Sequence, residues 1–178
     1  PDQSSAASDV YKRQSYINEL ANLCEKTDVD IKEISQGMGS DQRIGDRFLR
    51  AGPAYGGSCF PKDTRAIIDT SNKFKSNLSI IKAVIKSNED RKKLLTEKVY
   101  KILNNNLKNK LITFLGVTFK PNTDDMREAS SLYMIPKLLK KGAKINYFDP
   151  SGQKIEFKKF KKVRYCKNVT QACLRSDL

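Results

Sequence analysis

The sequence predicts a mixed α/β protein in which an all-helical part precedes a parallel βαβ unit. Between residues 16 and 104, apolar residues recur at the spacing of amphipathic helices. After a polar break at residues 104–109, short β-branched and aromatic runs alternate with helical segments, which indicates a parallel sheet. A chain of 178 residues is long enough to bury a sizeable core as one full domain or two small ones.

The composition divides the chain into three predicted parts. Residues 1–14 are rich in Ser and Ala and lack a helical period, so we predict a disordered or non-native tail. Residues 15–106 are predicted to form the helical domain. Residues 107–178 are predicted to form the first half of a doubly wound α/β domain, with the polar break as the boundary.

The first two helices are predicted from an apolar repeat and a capping signal. The repeat follows Tyr16 and consists of Ile17, Leu20, Ala21 and Cys24. Because positions i, i+3, i+4 and i+7 share one helical face, this face is predicted to be buried and Cys24 to lie in the core. The segment Asp30-Ile-Lys-Glu33 has the form of a capping box and predicts a second helix that stops near Gly37 and Gly39.

Two further helices are predicted before the polar break. Pro61 suits a first helical turn and predicts a helix through Asn72. Its apolar face is predicted to consist of Ala66, Ile67 and Ile68. An apolar helical period from about Ser79 to Asn104 predicts a single long helix, and the polar span 87–93 interrupts this apolar period. A helix of this length either crosses its own domain or presents part of its face to a partner chain.

The remaining segments predict a parallel sheet. β-branched and aromatic runs indicate strands at Lys110–Leu115, Lys144–Phe148 and Val163–Cys166. Helices are expected at Ser130–Lys141, where Gly142 marks the stop, and at Thr170–Leu174. Because a helix separates the first two strands, they should run parallel with a right-handed crossover.

The charge of the chain favours anionic ligands. The 34 Lys and Arg residues exceed the 20 Asp and Glu residues, and the net charge of +14 raises the local concentration of polyanions. The lysines are spread over helix faces and one cluster at residues 158–162, without interleaved aromatic platforms, so nucleic-acid binding is not expected. Steep salt dependence of DNA binding is the mark of that alternative.

The absence of histidine, the spacing of the cysteines and the lack of long apolar runs narrow the chemistry and the location that the sequence predicts. The chain has no histidine, which excludes an imidazole base and metal sites that need histidine ligands, so no metal is expected. The four cysteines show neither a close metal-binding pair nor a disulfide framework, which favours a reducing cytoplasm. Because no apolar run approaches twenty residues, no membrane association is expected.

The stretch Gly52-Pro-Ala-Tyr-Gly-Gly-Ser-Cys-Phe-Pro-Lys-Asp63 concentrates the chemistry. Its glycines permit a tight turn that brings backbone N–H groups close to a ligand such as a phosphate. Cys59 precedes the expected helix start, where unfilled N–H groups and the nearby Lys62 favour the reactive thiolate. A buried, inert cysteine is the alternative interpretation of a lone Gly-Gly-x-Cys pattern.

Three motifs occur in order around Cys59. They are Gly39-Ser-Asp-Gln-Arg-Ile-Gly45, Gly56-Gly-Ser-Cys-Phe-Pro-Lys-Asp63 and Phe114-Leu-Gly-Val-Thr-Phe-Lys-Pro-Asn-Thr-Asp-Asp-Met-Arg-Glu128. In motif and spacing, the chain from about Ser15 to its last residue resembles the UDP-glucose 6-dehydrogenase family. The resemblance implies an all-helical central dimerisation domain followed by a truncated Rossmann-like domain that binds the UDP-sugar.

The resemblance also implies an activity, a cofactor and a partner. Members of the family oxidise the C6 alcohol of the sugar to a carboxylate in two NAD-dependent steps. The implied substrate is UDP-glucose, and the implied intermediates are a thiohemiacetal and a thioester on Cys59. The implied partner is a second copy of the chain, bound through the central helical domain. Another nucleotide sugar, such as GDP-mannose or a UDP-N-acetylhexosamine, remains open as the substrate.

The resemblance assigns roles to particular residues. The catalytic residues are Cys59 and Asp63, and Asp63, one helical turn further on, suits orienting or deprotonating a water. The implied substrate-binding residues are Arg43, Arg50, Ala51, Gly52, Pro53, Ala54, Tyr55, Gly56 and Lys120. The implied cofactor-binding residues are Cys59, Phe60, Pro61, Lys62 and Arg127. The backbone amides of residues 50–56 are expected to wrap the sugar diphosphate.

Plainer interpretations compete with several of these roles. Arg43, which in the family reaches the substrate of the neighbouring subunit, also suits a surface ion pair. Asp63 also suits a helix N-terminal acid. Without the resemblance Lys120 is a surface lysine, and Tyr55, like Phe48, is a packing residue.

The Gly-x-Gly-x-x-Gly fingerprint of a dinucleotide-binding domain is absent from the sequence. The family carries it in an N-terminal domain, so the resemblance implies an internal fragment that does not turn over by itself. A substrate-binding Lys and Asn of the family correspond here to Gln3 and Ala7. Because the dinucleotide fingerprint is absent, a non-catalytic dimerisation module is the second hypothesis for the isolated chain.

Overall fold

The computed structural model describes the backbone of residues 3–178 and the side chains of residues 9–58 and 61–178. Pro1 and Asp2, part of the predicted tail, lie outside the described residues. The chain divides into two compact units, Pro1–Arg91 and Lys92–Leu178. The division falls within a helix, whereas the predicted domain boundary falls in the loop that follows this helix. The first unit is helical and the second carries a parallel sheet, which confirms the predicted mixed α/β fold.

Helix α1 spans Gln3–Thr27 and begins well before the predicted helix start. The prediction of a tail is therefore wrong over residues 3–14. Tyr11 is 2% exposed, and Ser15 and Asn18 are buried one and two turns further along the same face. Because two of these three positions are polar, a search for apolar repeats does not find this part of the helix.

Helix α2 spans Ile31–Gly39, as the sequence predicts. The side chain of Asp30 caps it by accepting a hydrogen bond from the amide of Lys32 at 2.8 Å. Cys24, near the end of α1, is 4% exposed, which confirms its predicted place in the core.

Helix α3 spans Cys59–Lys73 and buries only part of its predicted apolar face. The prediction is wrong for Ala66 and Ile67, which are exposed, but Ile68 packs half-buried against the core. Thr64 and Ser71 are buried on the same side as Ile68. Both hydroxyl groups donate to the carbonyl three residues earlier in the same helix, at 3.1 and 2.9 Å. Since these polar groups are satisfied locally, they are buried without unpaired atoms where α3 packs against α1.

Helix α4 spans Ser79–Ile102, which confirms the predicted long helix, and it continues through the polar span that interrupts the apolar period. Ile81 and Val84 are buried, and Asn88 and Arg91 continue the same stripe at i+7 and i+10 from Ile81. The polar span therefore occupies buried positions of one unbroken helix. Within the described part of the chain, no helix combines the length and the apolar character that a membrane crossing requires.

The second unit is built on a parallel sheet of three strands. Strand β1 is Leu111–Leu115, β2 is Lys144–Phe148 and β3 is Val163–Tyr165, in the order β1-β2-β3. Strands β1 and β2 pair along their full length. The predicted parallel arrangement is confirmed.

Helix α5, Ser130–Lys140, connects β1 to β2, and α6, Val169–Cys173, follows β3. Both helices confirm the predictions. A short 3-10 helix at Ile155–Phe157, which the sequence does not predict, lies between β2 and β3. Gly142 ends α5 with a φ of 94°, and a Cβ there would lie 3.2 Å from the Cα of Lys108. Glycine is therefore required at this predicted stop.

The core of the second unit contains residues from the sheet, from α5 and from the loops beside them. Its buried members are Leu107, Ile112, Val117, Met126, Ile135, Leu138, Ala143, Ile145, Tyr147 and Phe157. The ring of Tyr147 packs edge-on against that of Phe157, with the centroids 5.3 Å apart. This aromatic contact holds the 3-10 helix on the sheet.

A buried carboxylate ties together the loops that follow β1 and β2. Asp149 is 2% exposed, and its Oδ2 accepts a hydrogen bond from the amide of Val117 at 2.8 Å. Its Oδ1 accepts from the amide and the hydroxyl of Ser151 at 2.9 and 2.5 Å. Nζ of Lys154, a residue that is 5% exposed, lies 3.8 Å from Oδ1. Burial by itself raises the pKa of Asp149, but the bonds from Ser151 and Val117 outweigh burial, so the pKa is lowered.

We predict that Asp149→Asn destabilises the protein by about 3 kcal/mol at neutral pH, because it leaves the buried ammonium of Lys154 without a counter-charge. Since folding lowers the pKa of Asp149, its contribution is fully present above the unfolded pKa of about 4 and is lost as the pH falls through the folded pKa. Urea unfolding from about pH 3 to about pH 7 measures the difference between parent and variant.

The matched control is Asp124→Asn, which neutralises an exposed carboxylate in the loop between β1 and α5. It should change the free energy of unfolding by less than about 0.5 kcal/mol. A parent–Asp149→Asn difference that fails to shrink toward pH 3 contradicts the argument.

Candidate functional site

The cysteine loop, residues 50–58, lies in the first unit immediately before α3. Cys59 is the first residue of α3, which confirms its predicted position at a helix N-terminus. Ser58 occupies the N-cap position, but its side chain makes no capping hydrogen bond. The side chains of Cys59 and Phe60 lie outside the described residues, so their roles stay predictions.

Gly57 carries the turn that leads into α3. Its φ of 87° lies in the left-handed region, where a residue with a Cβ is strained. At Gly52, a Cβ would meet only Nε2 of Gln14 at 3.9 Å, which is an ordinary contact. The predicted need for glycine is therefore conformational at Gly57 and not steric at Gly52.

The backbone of the cysteine loop is held by buried polar side chains from α1 and α4. The amide of Tyr55 donates to Oδ1 of Asn88 at 2.8 Å, and Nδ2 of Asn88 donates to the carbonyl of Tyr55 at 3.0 Å. The amide of Gly52 donates to Oδ1 of Asn18 at 2.8 Å. The carbonyl of Gly52 accepts from Nε of Arg91 at 3.2 Å. We refer to Asn18, Asn88 and Arg91 as the loop clamp.

The loop clamp corrects one prediction about the loop. The amides of Gly52 and Tyr55 were expected to contact a sugar diphosphate, but both donate to asparagine side chains. The physical reason is that backbone groups in a buried, irregular segment need partners, and nearby side chains supply them. The exposed side chain of Arg50 and the backbone of Ala51, Pro53, Ala54 and Gly56 remain predicted substrate contacts.

The side chain of Tyr55 belongs to the core of the first unit. Its side chain is 8% exposed, clusters with Ile81 and Val84, and lies 6.1 Å from the ring of Tyr11 between centroids. Burial raises the pKa of Tyr55 to about 12, although a hydrogen bond with the side chain of Thr64 opposes the shift. The plainer interpretation, packing, is therefore correct for Tyr55.

Lys62 and Asp63 form an ion pair in the first turns of α3. Nζ of Lys62 lies 3.5 Å from Oδ1 of Asp63, and the two side chains are 77% and 34% exposed. Both groups are accessible to solvent and lie within about one helical turn of Cys59. Pro61, by contrast, is buried in the first turn of α3, where it supports the helix start, and its contact with a cofactor stays a prediction.

Arg43 and Arg127 share one local arrangement. Each arginine donates from its backbone amide and from its guanidinium to the aspartate two residues earlier, Asp41 or Asp125. The shortest guanidinium–carboxylate distances are 2.6 and 2.8 Å. The hydrogen bond from each arginine side chain is the main reason that the pKa of its aspartate is lowered. We refer to these as the Asp-x-Arg pairs.

The Asp-x-Arg pairs leave both arginines accessible. The side chain of Arg43 is 88% exposed and that of Arg127 is 67% exposed. A surface ion pair was the plainer interpretation of Arg43, and the structure has one. The contact with a neighbouring subunit's substrate stays a prediction.

Lys120 and Arg127 lie in the second unit, in the loop between β1 and α5. Lys120 is exposed, and its Nζ lies 5.3 Å from the centroid of the Phe119 ring. Val117 anchors this loop, because its amide donates to Asp149 and its carbonyl accepts from the hydroxyl of Ser131. The loop follows the carboxyl end of a parallel strand, where open α/β sheets bind ligands.

The predicted site residues thus fall into two groups, each within its own unit. The first unit holds Arg43, the cysteine loop and residues 59–63, and the second holds Lys120 and Arg127. Among the described residues, no group of three or more Cys, Asp or Glu side chains is placed to hold a metal ion.

Sequence reasoning missed the loop clamp. A signal was nevertheless present, because Asn88 and Arg91 continue the stripe of Ile81 and Val84 at helical spacing. A buried amide or guanidinium side chain on a helix, unlike a hydroxyl that bonds a carbonyl of its own helix, needs a hydrogen-bonding partner on another segment. An interrupted apolar stripe therefore indicates an irregular segment packed against it.

Both units match domains of one family of nucleotide-sugar dehydrogenases. Residues 8–90 match the central domain of the UDP-glucose/GDP-mannose dehydrogenase family, and residues 113–178 match its UDP-binding domain. The chain belongs to this family. The match begins at residue 8, earlier than the resemblance seen in the sequence.

Curated relatives carry the name UDP-glucose 6-dehydrogenase. The chain is 42% identical to the protein of Rickettsia bellii over 165 residues, which are 92% of this chain and 38% of that protein. It is 45% identical to YwqF of Bacillus subtilis over 136 residues, which are 76% of this chain and 31% of that protein. The chain therefore spans less than two fifths of the length of these relatives.

A solved structure has the same fold. The UDP-glucose dehydrogenase of the archaeon Pyrobaculum islandicum superposes with a TM-score of 0.91 at 29% identity, over 98% of this chain and 40% of that one. A GDP-mannose dehydrogenase of Pseudomonas aeruginosa superposes with a TM-score of 0.59 at 24% identity, which shows a shared fold alone.

We predict that Tyr55→Ala destabilises the protein by about 3 to 5 kcal/mol, because it removes a buried ring and leaves a cavity beside Tyr11. Urea unfolding measures the change. The matched control is Phe48→Ala, at a position whose side chain is 48% exposed, and it should cost less than about 1 kcal/mol. Equal losses for the two variants contradict the assignment of Tyr55 to the core.

Proposed function

We propose that this chain is part of an NAD-dependent dehydrogenase that oxidises UDP-glucose to UDP-glucuronate in two hydride-transfer steps, through a thiohemiacetal and a thioester on Cys59. The observation that carries the proposal is the position of Cys59 as the first residue of α3, inside the match to the family's central domain. The names of the relatives and the match to the UDP-binding domain support the choice of substrate.

Cys59 acts in the second oxidation. Its thiolate forms a C–S bond to the C6 aldehyde, and the carbonyl oxygen takes up a proton to give the thiohemiacetal. Loss of hydride from that carbon and of the hydroxyl proton leaves the thioester. Water adds to the thioester carbonyl, and the C–S bond then breaks to release the carboxylate and the thiol. NAD, when bound, accepts the hydride of each oxidation.

Asp63 serves the hydrolytic step in this proposal. It lies one helical turn beyond Cys59, and its carboxylate is partly accessible beside Lys62. A carboxylate in this position orients the attacking water and accepts its proton.

Two cations suit the phosphates of the dinucleotide. The side chains of Lys62 and Arg127 are 77% and 67% exposed, each in its own unit, and carry the donors that phosphate oxygens prefer. Each of them is proposed as a phosphate contact from its own unit. The phosphate-binding glycine fingerprint is not in the sequence, so the proposed reaction needs a dinucleotide-binding domain joined to this chain.

The proposed UDP-glucose contacts are Arg50 with the neighbouring backbone of the cysteine loop, and Lys120. Both side chains are exposed cations, which suit a diphosphate. The runner-up substrates are GDP-mannose and a UDP-N-acetylhexosamine, since the family includes dehydrogenases of more than one nucleotide sugar. For the isolated chain, a non-catalytic dimerisation module is the second candidate.

A homodimer through the first unit is part of the proposal. An apolar groove of about 470 Å³ lies between α1, α4 and the segment after α2, lined by residues that include Met38, Ile44 and Leu49. Tyr16 and Ile80 on its rim are 51% and 68% exposed. Exposed apolar surface of this kind is typical of protein interfaces. Arg43, close to Ile44 in sequence, then reaches the partner's substrate.

A reducing compartment such as the cytoplasm fits the proposed thiol chemistry. Cys24, Cys166 and Cys173 are free thiols. A reducing environment keeps a nucleophilic cysteine in the thiol form that the reaction needs.

We predict that Cys59 is alkylated by iodoacetamide faster than the other cysteines at neutral pH, because a helix N-terminus and Lys62 favour its thiolate. Mass spectrometry resolves the rate at each cysteine as a function of pH. The rate at Cys59 should reach half its maximum below about pH 8.5, the ordinary pKa of a thiol. Exposed Cys173 is the internal control, and coincident profiles for the two contradict thiolate stabilisation.

We predict that Cys59→Ser, in this chain joined to a dinucleotide-binding domain, slows formation of UDP-glucuronate by several orders of magnitude. The first oxidation needs no bond to the protein, so a UDP-aldohexose or its hydrate accumulates. The second oxidation needs a tetrahedral adduct, and serine without a base is a poor nucleophile. Single-turnover mass analysis distinguishes the species, and carboxylate formed at the parent rate would rule out the thioester.

A further inference from the structure

The segment from Leu49 to Tyr55 is held almost entirely by side chains. Beyond the bonds of the loop clamp, the hydroxyl of Ser35 donates to the carbonyl of Leu49 at 2.7 Å, and Nε2 of Gln14 donates to the carbonyl of Arg50 at 2.9 Å. Six backbone groups of this segment are thus bonded to side chains of α1, α2 and α4. The loop conformation is imposed by its surroundings.

The residues of the loop clamp are buried, although polar and charged side chains favour positions exposed to solvent. Asn18, Asn88 and Arg91 are 2%, 4% and 8% exposed. Nδ2 of Asn18 has no hydrogen-bond partner among the described atoms, an arrangement that costs about 1 to 3 kcal/mol. An apolar residue suits this helix position better for packing alone. The asparagine therefore serves the one bond that its Oδ1 makes, to the amide of Gly52.

Arg91 is committed to the same segment. Besides the carbonyl of Gly52, its guanidinium contacts Oδ1 of Asn22 and lies 3.5 Å from the carbonyl of Asn18. Burial lowers the pKa of Arg91, and the charge of Glu25 opposes this effect. A guanidinium engaged in this way supports the loop from behind and does not bind a substrate anion.

Tyr55 connects the loop clamp to α3. Asn88 holds both backbone groups of Tyr55, and the side chain of Tyr55 hydrogen-bonds that of Thr64 in the second turn of α3. Only the turn at Gly56–Ser58 separates Tyr55 from Cys59, so the chain has little slack between the clamped residue and the helix start.

We infer that Asn88, together with Asn18 and Arg91, is a positioning residue that fixes Cys59 at the N-terminus of α3. The inference rests on the proposed function, in which Cys59 is the nucleophile. The clamp holds the loop so that the first-turn N–H groups and Cys59 keep one geometry. Loss of the clamp frays this turn and removes the electrostatic stabilisation of the thiolate.

The test compares two variants of one residue in this chain. Asn88→Ala removes both bonds to Tyr55, whereas Asn88→Asp keeps the acceptor for its amide, loses the donor to its carbonyl and adds a negative charge. Asn72→Ala makes the same Asn-to-Ala change at an exposed position of α3 and is the matched control. Thermal unfolding confirms that each variant is folded under the assay conditions.

Two readouts are measured on each protein. Hydrogen exchange of the Tyr55 amide reports the clamp, and it should accelerate on the order of tenfold in Asn88→Ala and less in Asn88→Asp. The pH profile of Cys59 alkylation reports the thiolate. Its midpoint should rise toward about 8.5 in the uncharged variant Asn88→Ala and stay unchanged in Asn72→Ala.

The outcomes separate the inference from the proposed function. If the Tyr55 amide exchanges faster but the midpoint for Cys59 does not move, the clamp only stabilises the loop and the inference is overturned. If the parent's Cys59 already titrates like Cys173, the activated nucleophile of the proposed function fails, and the positioning role fails with it. Faster exchange of the Tyr55 amide together with a higher midpoint for Cys59 in Asn88→Ala, with neither change in Asn72→Ala, supports the inference.

Discussion

Hydrogen bonds from buried side chains to loop backbone are the constraint on which the first unit depends. The segment before Cys59 has no strand or helix of its own, so its N–H and C=O groups lack the partners that regular structure supplies. Leaving one of them unpaired in the interior costs about 1 to 3 kcal/mol. Asn88 removes two such penalties at Tyr55, and Asn18 and Arg91 remove two more at Gly52. Helices α1 and α4 thereby fix the conformation of a segment that has no regular secondary structure of its own.

In the second unit, a buried carboxylate is the hydrogen-bond partner of a loop amide. Asp149 accepts the amide of Val117, and Ser131 donates to the carbonyl of the same residue, so both polar groups at the start of the β1–α5 loop are fixed. Lys154 compensates the buried charge. In both units, then, the loop that carries candidate ligand-binding residues is irregular, and its conformation depends on a few polar side chains of neighbouring elements.

The sequence predicted those parts of the fold whose signals are local. The bounds of β2 are correct because Gly142 stops α5 and Asp149-Pro150 ends the β-branched run, and both signals act within a few residues. Predictions failed where burial depended on distant partners. The polar face of α3 at Thr64 and the polar stripe of α4 at Asn88 are buried through contacts that no apolar period encodes. Cys59 was placed correctly at a helix start, while the amides of Gly52 and Tyr55 were assigned to a ligand although the protein itself supplies their partners.

The Asp-x-Arg pairs give Arg43 and Arg127 a built-in counter-ion. Each guanidinium shares its charge with a carboxylate that is anchored to the arginine's own backbone amide. The tethered carboxylate is present at an effective concentration in the millimolar range or above, so an anion from solution does not meet a bare cation. An anion that binds either arginine must therefore displace the tethered aspartate. A small monovalent anion gains little free energy by displacing the aspartate. A ligand that is also bound at a second point of the site is itself tethered, so it competes with the aspartate at a comparable effective concentration.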